Sequence, residues 1–489
     1  NFFWFRLRAL RKIMILPLFW LLHISFICQA ASPDDWKSRS IYQVLTDRFA
    51  TDNSANDDTC GGDLSKYCGG TFKGLENKLD YISGMGFDAI WISPVVKQIG
   101  DGYHGYWASD LTAINDHFGS MEDLQSLVKT AHSKGIWVML DMVVNHMGGS
   151  INDINNFVPF NDGSHYHDCN GCISDCNIHN FNDAAETEHC RLAGLPDLNQ
   201  DNEYVSSKLI EVYTKLVEDS GVDGIRMDTV PEVNPSYWKT FKSQAAPNMY
   251  IIGEVFNGDS NYIDAHGSEL DGLLSYPMYY TIRNVFQQKQ DMSQISSRLK
   301  EYYQVFGQDR TMKLGTFVDN HDNARFLSQN SDQKLFTSAV VLSMMIDGIP
   351  IVYYGTAQMF SGGNDPQNRE IFWNTQFDNS TELYKKIKAL NAVRKEDVFD
   401  LGSPATELSV QSSFYAFSRG KVLVALTNVG EGGDTQTYTL NQHPFSSGDI
   451  VCNVFSGTSD CITVTDQGVA VVLQDGESKV FVPKSALMH

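Results

Sequence analysis

Three short segments of this sequence place acidic side chains where they could act on a bound substrate. The first, GIRMD, sets Arg226 two residues before Asp228. On a strand, side chains two apart share a face, so the guanidinium can hold the Asp228 carboxyl ionised and oriented, as a nucleophile requires. The second, IIGEVF, carries the lone Glu254 on an apolar run. Burial raises a carboxyl pKa, and an acid still protonated near neutral pH can give its proton to a leaving group. The third, FVDNHD, adds Asp322 with His321 beside it. One carboxylate to attack an anomeric carbon and another to protonate the departing oxygen are what glycoside hydrolysis needs. By itself, GIRMD reads equally well as a structural ion pair at a strand end.

Such groups act together only if the fold converges them. Apolar, strand-like runs alternate with amphipathic stretches from about Ser40 to Gly355. The runs are SIYQVLTDRF, FDAIWISPV, IWVMLDMVVN, VDGIRMDTV, MYIIGEVF, GLLSYPM, LGTFVDNHD and IPIVYYG. Helical spacing fills the gaps, as in MEDLQSLVKTAHSKG and NEYVSSKLIEVYTKLVEDSG. Alternation of this kind predicts an α/β fold, and the eight runs predict a (β/α)8 TIM barrel, with a doubly wound open sheet as the alternative. Polar residues gather at the C-terminal ends of the runs. Asp141, Asn145 and His146 close the third, Arg226 and Asp228 the fourth, Glu254 the fifth, and Asn320, His321 and Asp322 the seventh. A strand interior would not tolerate them unpaired, whereas the C-terminal mouth of a barrel gathers them into one cleft.

Two segments interrupt the alternation. Residues 146–202 are rich in Asn, Asp, His, Gly and Cys, a long irregular excursion of the kind that carries function or folds separately. From about Gly402, runs such as SFYAFSRG, KVLVALTNVG and SKVFVP alternate between Gly, Asn and Ser turns, predicting an antiparallel β-sandwich. The expected division is a signal peptide over 1–30, a first barrel part over 32–145, an inserted domain over 146–202, a second barrel part over 203–401 and a C-terminal domain over 402–489.

A formal net charge of −22 repels phosphate backbones, which argues against a nucleic-acid partner. Arg6, Arg8, Arg11 and Lys12 precede the apolar run MILPLFWLL and small residues at Cys28, Ala30 and Ala31, the pattern of a secretory signal. Pro17 and His23 in so short a run disfavour the alternative, a membrane anchor. A secreted monomer with no membrane partner is therefore expected. Outside the signal, Cys60, Cys68, Cys169, Cys172, Cys176, Cys190, Cys452 and Cys461 make an even set, which suggests disulfides. His165, His167, His179 and His189 near the central cysteines keep a zinc site as the alternative. The sequon at Asn379 offers a glycan acceptor.

Taken in order and spacing, DMVVNH, GIRMD, IIGEV and FVDNHD resemble the α-amylase family of glycoside hydrolases, and most nearly its secreted fungal members. The likeness extends from DDWKSRSIYQVLTDRF through GGNDPQNRE into the final β domain. It implies endo-hydrolysis of α-1,4-glucosidic bonds in starch-like or glycogen-like glucans by a retaining double displacement. Asp228 would be the nucleophile and Glu254 the acid/base, their carboxyls about 5–5.5 Å apart. Asp322 would bind sugar hydroxyls and favour the distorted ring. Arg226 would orient Asp228, while His146 and His321 would hydrogen-bond the sugar. Tyr106 and Trp107 would pack around it, with His104 less directly involved, and Asp365 and Arg369 would lie on the non-reducing side. The resemblance also implies a structural Ca²⁺ held by the side chains of Asn145 and Asp197 and by backbone carbonyls at Glu188 and Glu232, an all-oxygen set that this ion accepts. It pairs Cys60 with Cys68 and Cys176 with Cys190, leaving Cys169–Cys172 and Cys452–Cys461.

One stretch departs from the family pattern. Where fungal members read TVKH after the nucleophile, this chain reads TVPE. Pro231 removes a cation and a backbone N–H from the acceptor side of the cleft, and Glu232 adds a negative charge near Glu254. The catalytic trio is intact, but a 4-α-glucanotransferase stays open as an alternative, since a covalent intermediate can pass to water or to a sugar. An inactive carbohydrate-binding homologue is the third reading, and retention of Asp228, Glu254 and Asp322 argues against it.

Overall fold

Each of the eight apolar runs forms a strand in the computed structural model, which describes residues 31–52 and 58–487. The expected signal peptide lies outside the described residues. The barrel strands are β1 Ile41–Val44, β2 Ala89–Ile92, β3 Trp137–Met142, β4 Gly224–Met227, β5 Tyr250–Gly253, β6 Gly272–Leu273, β7 Gly315–Thr316 and β8 Ile349–Tyr353. They pair in parallel in the order β6-β5-β4-β3-β2-β1-β8-β7. A parallel bridge from Leu274 to Gly315 joins the two ends, so the sheet closes as a barrel and is not an open, doubly wound sheet.

Burial on both faces explains the continuous apolar runs. Ile41, Trp91, Met139, Tyr250, Ile252 and Ile351 belong to one cluster inside the barrel, and Tyr42, Ile90, Val138 and Ile251 belong to the cluster outside it. Alternate residues thus serve different cores. Trp36, just before β1, plugs the N-terminal end and stacks on Tyr250 with ring centroids 5.4 Å apart. The plug explains Gly224, because a Cβ there would lie 2.5 Å from the Trp36 ring. Around the barrel run amphipathic helices such as Met121–Ser133, which opens on a capping box between Ser120 and Asp123 and buries Leu124, Leu127, Val128 and Ala131. The helix Glu203–Ser220 ends on Gly221 at φ 71°, the left-handed cap that glycine favours.

The C-terminal segment forms antiparallel sheets, one of six strands and one of two, that share a core containing Phe414, Leu423, Leu440, Val471 and Phe481. Tyr415, Phe417, Val424 and Val480 belong instead to the main core, so the other face of the larger sheet packs on the barrel's helices. A buried ion pair, Arg419 to Asp347 at 2.6 Å, ties this sheet to the turn between the helix Gln333–Met345 and β8.

The excursion between β3 and the helix Glu203–Ser220 holds only short elements: Ile151–Asn156, Gly163–His165 and Ala184–His189. Its disulfides correct the expected pairing. Cys172 joins Cys190 and Cys169 joins Cys176, with Cα separations of 5.7 and 5.4 Å, whereas Cys60–Cys68 and Cys452–Cys461 pair as expected. The helix Ala184–His189 delivers the buried Cys190 over Cys172, whose sulfur lies 3.6 Å from the His189 carbonyl. Left-handed turns at Cys169 and Cys176 bring those two together. With all four sulfurs oxidised, no thiolate remains there to ligate zinc.

Candidate active site

The strand ends at the C-terminal mouth build one cleft of about 580 Å³, lined among others by Tyr106, Trp107, His146, Asp228, Glu254, His321, Asp322, Asp365 and Arg369. At its floor lies Arg226 on β4, fully buried. Its Nη1 donates to Asp141 Oδ1 at 2.8 Å and to Asp228 Oδ1 at 2.7 Å, and its Nη2 contacts Glu254 Oε2 at 2.6 Å. One cation therefore serves three buried carboxyls from three adjacent strands. The ladder continues past the strands to set these side chains: the Asp228 N–H donates to the Met142 carbonyl and the Glu254 N–H to that of Met227. Thr229 then takes φ 47°, a left-handed turn that ends β4 and leaves the Val230 N–H donating to the Glu254 carbonyl.

Burial with insufficient positive charge raises these acids. Desolvation is the largest cause for Asp228, pushed up to about 6, and for Glu254, pushed up to about 8; Arg226 opposes both. The two carboxyls share a hydrogen-bond contact. Asp141, named at a strand end but given no site role from sequence, proves integral: besides Arg226 it accepts from Trp91 Nε1 at 3.0 Å and Tyr106 Oη at 2.8 Å.

Tyr106 lies flat on the His321 ring, with centroids 5.3 Å apart, and its hydroxyl lies 2.7 Å from His321 Nε2. His321 Nδ1 is 2.8 Å from Gln43 Nε2. With the Gln43 amide donating to Nδ1, the imidazole carries its proton on Nε2. Burial holds His321 at about 3 and His146 at about 4, so both rings are neutral near pH 7. His146 Nε2 sits 3.1 Å from the Tyr106 carbonyl. Asp322 is more open, with Oδ1 at 3.5 Å from His321 Nε2 and 3.9 Å from Arg369 Nη2. Arg369 Nη1 pairs with Asp365 at 2.9 Å and donates to Tyr103 Oη at 3.0 Å. Trp107 stands at the rim, edge-on to His104.

Below this wall the Asn145 side-chain oxygen faces Asp197 Oδ1 at 3.0 Å and the Glu232 carbonyl oxygen at 2.9 Å. Three acceptors converge with no donor between them. Turned over, the same amide would donate to both oxygens; as placed, the group has the form that a hard cation relieves. Asp197 Oδ2 is fixed by His167 Nδ1 at 2.6 Å. Glu188 lies on the helix Ala184–His189, where burial raises its carboxyl and His189, Asp201 and His167 are its charged neighbours. The Glu232 carboxyl is buried and raised to about 8, by desolvation first and then by Glu254.

Comparison with known proteins agrees with this geometry. Residues 43–397 match the family description "Alpha amylase, catalytic domain". The chain belongs to the α-amylase family. Among its relatives is an α-amylase of Saccharomycopsis fibuligera, 35% identical over 94% of this chain and 94% of that protein. A solved α-amylase from Malbranchea cinnamomea is 37% identical, covers 94% of this chain and 98% of its own, and superimposes with a TM-score of 0.87. A solved cyclomaltodextrin glucanotransferase, CldA, is 28% identical over 91% of this chain and 98% of its own, with a TM-score of 0.79. The chain is thus a glycoside hydrolase of the α-amylase family, whose reaction is hydrolysis of α-1,4-glucan bonds.

Sequence reasoning missed Tyr276, which opens the helix after β6 and reaches Glu254, and the wall made by Phe181 and Phe256. The signal for Phe256 was present, since it follows the acid by two residues and so shares its face of the extended chain. Phe181, in the excursion, had none.

Proposed function

We propose that this cleft cleaves internal α-1,4-glucosidic bonds by retaining double displacement, with Asp228 as nucleophile and Glu254 as acid/base. The observation that carries the reading is the Arg226 fork, which holds both carboxyls on one guanidinium. Held that close, they leave no room between them for the attacking water that inversion needs. Glu254, raised by burial, gives its proton to the glycosidic oxygen while Asp228 attacks C1, and the C1–O bond breaks. Glu254, now a carboxylate, takes a proton from the incoming water, which displaces Asp228 with a second inversion. Asp322 and Arg369 bind the ring hydroxyls, and neutral His146 and His321 hydrogen-bond them without adding charge. An Asp228→Asn variant is expected to leave maltoheptaose intact; parental turnover by that variant would overturn the assignment.

Supporting roles follow. Asn145, Asp197 and the Glu232 carbonyl would hold Ca²⁺, which would supply a structural cross-link there. The barrel comprises residues 32–145 and 203–401, with 146–202 inserted and 402–489 following. Four disulfides suit an oxidising compartment and so secretion, and no helix among the described residues is long and apolar enough to cross a membrane.

A second reading is transfer to a sugar. Phe181 and Phe256, 45% and 52% exposed, line the cleft with Pro231 and Leu195, an apolar lining suited to the C–H face of an acceptor glucose. A product time course separates the two: oligosaccharides longer than the maltoheptaose supplied, appearing early, indicate transfer.

A further inference from the structure

Tyr276 is fully buried, and its hydroxyl lies between two groups of the site. It donates to Glu254 Oε1 at 3.2 Å and accepts from Asn320 Nδ2 at 2.9 Å. The Asn320 amide cannot be turned over without loss, because its Oδ1 accepts the backbone N–H groups of Asp322 and Asn323 at 3.2 and 3.1 Å. Nδ2 is therefore the end that meets the phenol. An amide nitrogen only donates, so the phenol's own proton is directed at Glu254. The ring has little freedom to move: Phe256, Phe317 and Tyr279 meet it edge-on at 4.5, 5.2 and 5.9 Å. Glu254 Oε2 is already taken by Arg226.

We propose that Tyr276 is a positioning residue for acid catalysis at Glu254, its hydroxyl holding Oε1 and stabilising the carboxylate left when the proton passes to the glycosidic oxygen. The proposal rests on the reading of Glu254 as acid/base. In the step concerned, the proton moves from Glu254 to the leaving oxygen, the C1–O bond breaks and the bond from C1 to Asp228 forms. Negative charge appears on Glu254 only then, so the Tyr276 hydrogen bond is stronger in the transition state than before it.

The test varies how much the leaving group needs a proton. Tyr276→Phe, an isosteric change, is compared with the parent on an unactivated maltooligosaccharide and on a 2,4-dinitrophenyl maltotrioside, whose phenolate departs unprotonated. kcat/KM for the unactivated substrate is expected to fall about ten- to hundredfold, the worth of one hydrogen bond to a charged group, and that for the activated one less than about threefold. Asn320→Asp, which keeps the backbone contacts but draws the phenol proton away from Glu254, should show the same selectivity if Tyr276→Phe does not fold. Tyr279→Phe on the same helix should match the parent on both substrates. Equal loss on both substrates, or none, in Tyr276→Phe overturns the proposal. Glu254→Gln keeps this failure distinct: if it too fails to discriminate between leaving groups, the acid/base reading falls, and if it discriminates, only the role of Tyr276 does.

Discussion

Replacing Arg226 by Gln probes how one buried cation sets the protonation of the whole site. The guanidinium lies 2.7 Å from Asp228 and 2.6 Å from Glu254, with burial already lifting them to about 6 and about 8 while the cation is present. A cation this near lowers a carboxyl pKa by about one to three pH units, so its loss should raise both acids by that amount. At pH 6 the parent's Asp228 is half ionised; in the variant the ionised fraction falls to between about a tenth and a thousandth. The nucleophile must be deprotonated, so the acid limb of kcat/KM moves up. The acid must be protonated, so the alkaline limb moves up too, and the bell shifts bodily to higher pH. Removing one partner of a buried pair also costs about 3–5 kcal/mol of stability. The carboxyls sit above their unfolded pKa values in both proteins, so the variant's extra loss is smallest in acid and grows as pH rises from the parental values of about 6 and about 8 toward the variant's higher ones. The assay is kcat/KM against pH on a chromogenic maltooligosaccharide, with Tm followed in parallel. A variant with lower activity but both limbs at the parental pH would refute the argument.

Other outcomes follow from the same geometry. Ca²⁺ at a hundred times its Kd should stabilise the chain by about 2.7 kcal/mol, and Asn145→Ala should abolish that gain, read as the Tm difference with and without chelator. Asp347→Asn leaves Arg419 buried beside a neutral partner and should cost about 3–5 kcal/mol in denaturant unfolding, without changing KM. Peptide mapping without reduction should find Cys172 linked to Cys190 and Cys169 to Cys176.

Much of the barrel and its mouth was legible because the signals are local. A strand buried on both faces must be apolar throughout, as AIWI in β2 and YIIG in β5 are, and polar residues at its end then stand out. Arg226 with Asp228 could be read from a two-residue spacing. The excursion could not, since its path follows from contacts that no periodicity encodes, and its cysteine pairing followed the helix Ala184–His189 instead of the nearest spacing. Tyr276 was hidden for a related reason: in GLLSYPM its ring looks like one more core residue, and only the approach of Asn320 from the seventh strand end gives its hydroxyl a purpose.

The cleft's outer wall and the barrel beneath it are held by different means. The excursion's inner part is built into the main core through Met147, Phe157, Phe160 and Leu198 and hydrogen-bonds to Ala108, Ser109 and Leu111. Its outer part, the wall around Phe181, is held by its own two disulfides and by the Tyr262 hydroxyl on the Phe181 carbonyl. The barrel has a closed ladder and a packed interior. On heating, the wall should therefore let go first, and the enzyme should go silent while its circular dichroism still reports a folded barrel.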